Sequence, residues 1–154
     1  MVRGGLRVAD LTDVPLTHDR LAPEGLAACF RHVQSQADRP DLILQGGDAI
    51  MDGLPADQVS AQRQFELWQT IVRAELDSRL PMVNCLGNHD VWGWDRPKSG
   101  CRGDEPLFGK AWAMQIMGLE RRYYSFDRAG WHFVVLDSTF NVGNDYTAKL
   151  DDEQ

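Results

Sequence analysis

The chain has 154 residues, a net charge of −7, and 43% hydrophobic and 25% charged residues. That is enough for one domain with its own core, and no tract of low complexity interrupts it. The acidic balance argues against a nucleic-acid surface, which needs clustered Lys and Arg, and against docking on anionic membranes.

No apolar run is long enough for a signal peptide or a bilayer span. Cys29, Cys85 and Cys101 are odd in number and form no C-x-x-C pair, so neither a zinc ribbon nor a redox motif is available. Reduced thiols in a cytoplasmic protein are the simplest account.

Strand and helix patterns alternate along the chain. Leu6 to Leu11 reads as a short strand leading to Asp10 and Asp13. Glu24 to Asp38 reads as a helix, with Leu26, Phe30, Val33 and Ala37 on one face. Pro40 closes it, and the strand Asp41 to Gln45 runs into Gly46-Gly47-Asp48, with Asp52 four residues on. Asp52 suits a helix cap, a solvent-exposed position or a place behind the site equally well.

Ala61 to Leu80 is the longest helix signal, striped by Phe65, Trp68, Val72 and Leu76, with Asp57 or Ser60 as its cap. Pro81 stops it. The strand Met82 to Leu86 follows and ends in Gly87-Asn88-His89-Asp90.

Val91 to Gly109 is rich in Gly, Pro and charge and has no period, which predicts a long surface loop beside the site. In it Trp92 and Trp94 either line a substrate pocket or pack the loop. Arg96, Lys98 and Arg102 either steer a phosphate or form a solvated face. Leu107 to Met117 reads as a helix ended by Gly118. Arg122 to Phe126 and Trp131 to Leu136 read as a hairpin turning at Asp127-Arg128-Ala129-Gly130. Ala148 to Gln154 looks like the beginning of a helix whose body would lie past Gln154. With no repeat and no internal boundary, residues 1–154 read as a single domain, incomplete at its C-terminal end.

Asp13, Asp48 and Asn88 stand 35 and 40 residues apart, room each time for a crossover helix and a strand. Right-handed parallel crossovers bring all three strand ends to one edge of the sheet. Carboxylates suit hard or borderline divalent ions. Two such ions about 3.5–4 Å apart clamp a phosphoryl group and activate a water for in-line attack, and an imidazole such as His89 can either stabilise the transition state or protonate the leaving oxygen. Gly46-Gly47-Asp48 is a poor phosphate loop by itself, since it lacks the Lys and Ser/Thr of a P-loop.

Gly46-Gly47-Asp48 with Asp52, then Gly87-Asn88-His89-Asp90 after an apolar strand, resembles the calcineurin-like metallophosphoesterases, in the branch of the cyclic-nucleotide phosphodiesterase-like proteins. The segment Leu6 to Leu16 is similar to that family's opening strand and Asp-x-His motif. The resemblance implies an α/β fold, the family's α/β/β/α sandwich or its first half. It also implies two divalent metal ions (Mn, Fe or Zn) and hydrolysis of a small phosphodiester or phosphomonoester. Asp13 would bind the first metal, Asp48 would bridge both, and Asn88 would bind the second. His89 would be the catalytic imidazole, oriented by Asp90.

Two departures accompany the likeness. Pro15 stands where the family has a metal-binding histidine, leaving Asp10 as a surrogate ligand and His18 on the same loop. The family's later histidine motifs have no counterpart, since His132 lies inside an apolar run. The resemblance therefore implies either the first part of an enzyme or a non-catalytic binding or scaffold relative.

Overall fold

Short apolar runs separated by single helices have the connections that parallel pairing needs, and they pair in parallel here. The computed structural model describes residues 5–14, 16 and 21–154; Pro15 and His18 lie outside the described residues. Strands β1 (Val8–Leu11), β2 (Leu42–Gln45) and β3 (Met82–Asn84) form a parallel sheet in the order β1-β2-β3. Val8 lies opposite Leu42, and Ile43 opposite Met82. In the central strand Leu42 and Ile43 are both buried, the continuous apolar pattern of a strand covered on two faces.

Helix α1 (Ala22–Ser35) has a proline in its first turn, where a missing N–H costs nothing. Helix α2 (Gln58–Glu75) is capped by Asp57, whose side chain accepts the Ser60 N–H. Leu26 and Phe30 of α1 join Ala61, Phe65, Trp68 and Ile71 of α2 in one core with Ile43. The two helices are also stitched by Gln34, whose Nε2 donates to the Glu75 carbonyl (2.8 Å) and whose Oε1 accepts the Asp77 N–H (2.6 Å). This side chain closes α2 at Glu75, five residues before the end that its apolar period predicts.

Asp77, at that junction, accepts from Arg79 and Arg39, both at 2.8 Å. The Arg79 guanidinium, first among the causes, holds its carboxyl well below the ordinary value of 3.8. A depressed carboxyl adds stability that is present above its ordinary value and lost as pH falls. Asp77→Asn should therefore reduce the drop in denaturation midpoint between pH 7 and pH 3. An acid limb unchanged by the substitution would contradict this pairing.

The segment 91–109 corrects the expectation of a surface loop. Val91, Trp92, Trp94, Asp95, Ser99 and Cys101 are buried, a short helix α3 (Arg96–Ser99) interrupts it, and Trp92 and Gly109 exchange backbone hydrogen bonds of 2.8 Å. Gly93 makes the fold of this stretch possible: its φ is +82°, and a Cβ there would meet Cys101 Sγ at 2.6 Å. Helix α4 (Ala111–Met117) follows and ends at Gly118 in the left-handed conformation.

Strands β4 (Tyr124–Arg128) and β5 (Trp131–Val135) form the expected hairpin, tied to β3 by the Tyr124 hydroxyl, which donates to the Asn84 carbonyl at 2.7 Å. The fully buried Asp137 just beyond it pairs with Lys110 (2.5 Å) and Arg122 (3.2 Å). A second hairpin, β6 (Thr139–Val142) and β7 (Asp145–Ala148), comes next. The helix expected from Ala148 to Gln154 is absent: the chain leaves β7 into a turn, where Asp151 binds Arg122 and the Gln154 amide pairs with the Asp137 backbone.

Candidate active site

Parallel pairing delivers three acid-bearing strand ends to one edge of the sheet. Asp10 lies in β1 and Asp13 just beyond it; Asp48 follows β2, and Asn88 and His89 follow β3. Asp13 and Asp48 are non-glycine residues in the left-handed region, with φ of +50° and +56°. Side chains other than Gly hold that conformation only where surroundings impose it.

For Asp48 the imposing group is Asp90. Its two carboxylate oxygens accept the backbone N–H groups of Asp48 (2.9 Å), Ala49 (2.9 Å), Ile50 (3.4 Å) and Gly87 (2.9 Å). One buried side chain thus fastens the loop after β2 to the loop after β3. A return bond runs from the His89 N–H to Asp48 Oδ1 at 2.8 Å. The loops touch so closely that a Cβ on Gly87 would stand 2.1 Å from that same oxygen, so only glycine fits there. Burial pushes the Asp90 carboxyl up to about 6, against the pull of the N–H groups of Gly87, Ala49 and Ile50.

This corrects the expectation that Asp90 orients the His89 ring. Both of its oxygens are spent on backbone amides, and the carboxylate near the imidazole is that of Asp52, with Oδ1 4.0 Å from Nδ1. Gly53, next to Asp52, donates its N–H to the His89 carbonyl at 2.8 Å, which holds the two segments side by side. His89 Nδ1 is buried with no hydrogen-bond partner among the described residues. Burial raises the Asp52 carboxyl, while the nearby His89 pulls it down. The only hint of this in the sequence is the placing of Asp52 four residues past Asp48.

The residues drawn from the 91–109 segment fare unevenly. Trp92 is 2% exposed, meets Trp112 edge-on at 4.9 Å and donates its indole N–H to the Ala56 carbonyl. Trp94 is buried too, with the Lys110 ammonium over its ring. Neither offers a face to a substrate, because both are consumed by the core. Arg96 lies over Phe108 and Arg102 pairs with Asp104. Lys98 pairs with Asp95 at 2.7 Å and is largely exposed.

Among the described residues, no three His, Cys, Asp or Glu side chains gather into a group that could hold a metal. The donor chemistry nonetheless suits a divalent cation on its oxygen side. Asp10, Asp13 and Asp48 have no cationic partner among the described residues, and Asn88 adds an amide oxygen on the adjoining loop. Carboxylates without a cationic partner and an amide at one sheet edge are the ligands that hard cations take.

No helix among the described residues is long and apolar enough to cross a membrane. A family model described as calcineurin-like phosphoesterase matches residues 17–146, a range that includes Asp48 and Asn88 and begins beyond Asp10 and Asp13. No curated protein matches the chain.

Proposed function

The chain belongs to the calcineurin-like phosphoesterase family, and from that premise we propose that it is a cation-dependent hydrolase of small phosphodiesters or phosphomonoesters, of the cyclic-nucleotide phosphodiesterase-like branch. The observation that carries this reading is the Asp90 clamp, which spends a buried carboxylate on fixing Asp48 beside the His89 loop. Members of the family generally use two metal ions. In this chain Asp48 would bridge them, with Asp13 on one and Asn88 on the other, and Asp10 as a further oxygen donor on β1. Bound ions of the Mn, Fe or Zn type neutralise phosphoryl charge and make water nucleophilic near neutral pH.

The protein's own residues do the rest. His89 donates a proton to the leaving oxygen, and the Asp52 carboxylate, 4.0 Å from its Nδ1, is beyond hydrogen-bond distance and favours the protonated ring through its charge. The acidic balance of the chain argues against nucleic acid as the substrate, and three unpaired cysteines suit a cytoplasmic setting.

The test is hydrolysis of a chromogenic phosphodiester with added Mn²⁺. Asn88→Ala should lower turnover at least about 100-fold, since even residues supporting a metal's ligands are worth about 10–100-fold. The thermal midpoint should stay within a few degrees.

A second reading, a non-catalytic binding or scaffold relative of the same fold, is favoured by the absence of a three-residue metal group among the described residues. A folded protein with neither bound metal nor turnover would decide for it.

A further inference from the structure

Gln45 and Asn84 stand directly opposite one another on β2 and β3 and are only 4% and 7% exposed. In register on adjacent parallel strands they project from the same face of the sheet. It is the face on which Ile43 and Met82 meet the helical core. Two amides in that position are unexplained by packing, because an apolar side chain would fill the space without needing partners.

Each amide nitrogen has an acceptor. Gln45 Nε2 donates to the Gly47 carbonyl at 2.9 Å, and Asn84 Nδ2 donates to the Met117 carbonyl at 3.2 Å. A carbonyl cannot donate, so these two bonds decide which end of each amide is nitrogen and which is oxygen. The oxygens that remain, Gln45 Oε1 and Asn84 Oδ1, are buried and have no partner in the described chain. Buried acceptors are costly to leave unpaired.

We propose that the two oxygens share one internal water, which donates one O–H to each. Neighbouring strands run about 4.8 Å apart. A water donating two bonds of about 2.8 Å at its tetrahedral angle spans about 4.5 Å between acceptors, so the spacing of the sheet suits the bridge. Two polar partners meet the minimum for a buried water, where an apolar void would stay dry. A metal ion is the poorer occupant, since two neutral amide oxygens give it neither charge nor enough ligands.

The water has a structural consequence for the site. Gln45 holds the carbonyl of Gly47, the residue before Asp48, and Asn84 holds the last residue of α4. The bridge joins the Asp48 loop to α4 through the core, a footing that needs neither cation nor substrate. It stands whether or not the protein is a hydrolase.

Two measurements on the whole chain test it. A crystal structure that shows ordered water should hold a single peak within hydrogen-bonding distance of both oxygens. Thermal unfolding of Gln45→Met, Asn84→Leu and the double variant should be non-additive. Each single change removes its own NH₂ bond and also strands the partner's oxygen, lowering the midpoint by several degrees, while the double variant falls by clearly less than the sum of the two single losses. The absence of density between the two oxygens, or midpoint losses that simply add, overturns the proposal. The crystallographic half needs no variant, so it decides between water and no water even where a single substitution fails to fold.

Discussion

Replacing Asp90 by Ala should lower the folding free energy by about 4 kcal/mol. Four backbone N–H groups lose their acceptor, and each buried orphan donor costs about 1–3 kcal/mol before any water reaches it. Water entering the space left by the carboxylate recovers part of that total, and so does removal of a buried charge whose burial raises its pKa. For a chain of this length 1 kcal/mol corresponds to about 2–4 °C, so the thermal midpoint should fall by about 10 °C.

Asp90→Asn should recover less than its shape suggests. An amide oxygen can still serve Ala49 and Ile50, but the NH₂ then faces the N–H groups of Asp48 and Gly87, donor against donor. A midpoint for Asp90→Ala that circular dichroism places within about 3 °C of the parent protein, less than about 1–2 kcal/mol, would show that the carboxylate does not fasten the two loops.

The second large effect concerns chemistry rather than stability. His89→Ala should lower Mn²⁺-dependent phosphodiester turnover by about 10²–10⁴-fold, the range for removing a general acid. The midpoint should barely move, because the ring nitrogen Nδ1 has no partner among the described residues to lose. Asp52→Asn should act in the same direction and more weakly, through the loss of a negative charge 4.0 Å from the ring. Its loss should shrink sharply in a His89→Ala background, since the two act as a unit. If Asp52→Asn costs as much with His89 absent as with it present, Asp52 has another role.

How much of this was legible in the residues follows from where each kind of information resides. Polar groups that end apolar runs are visible in sequence, which is why Asp13, Asp48 and Asn88 could be set on one sheet edge from spacing alone. Most of the stripes of α1 and α2 was visible for the same reason: Phe30, Phe65 and Trp68 recur at helical spacing and are buried, while Ala37 falls past the end of α1 and is exposed. The segment 91–109 was illegible because it buries Trp92 and Trp94 through irregular backbone, which has no period to read. The hairpin of β6 and β7 was missed for the opposite reason. Residues 145–148 are all exposed, so no alternation of apolar and polar marks that strand.

Asp90 shows the limit most plainly. Its position beside His89 pointed to the imidazole. Its actual partners include amides about 40 residues away in the chain, brought near only by the pairing of β2 and β3. Spacing shows that a carboxylate follows a histidine, and only the packed backbone shows what that carboxylate accepts. Asp52, the more distant acid in sequence, lies by the ring, and Asp90, the adjacent one, holds the loops together.

Calorimetric titration of the folded protein with Mn²⁺, alongside Asp48→Asn, tests most directly whether these strand ends make a cation site. Measurable Mn²⁺ binding that weakens at least about 100-fold in the variant, with little change in thermal midpoint, is the expected result. A parent protein that binds no Mn²⁺, or a variant that binds it equally well, would contradict the assignment of Asp48 to the centre of the site.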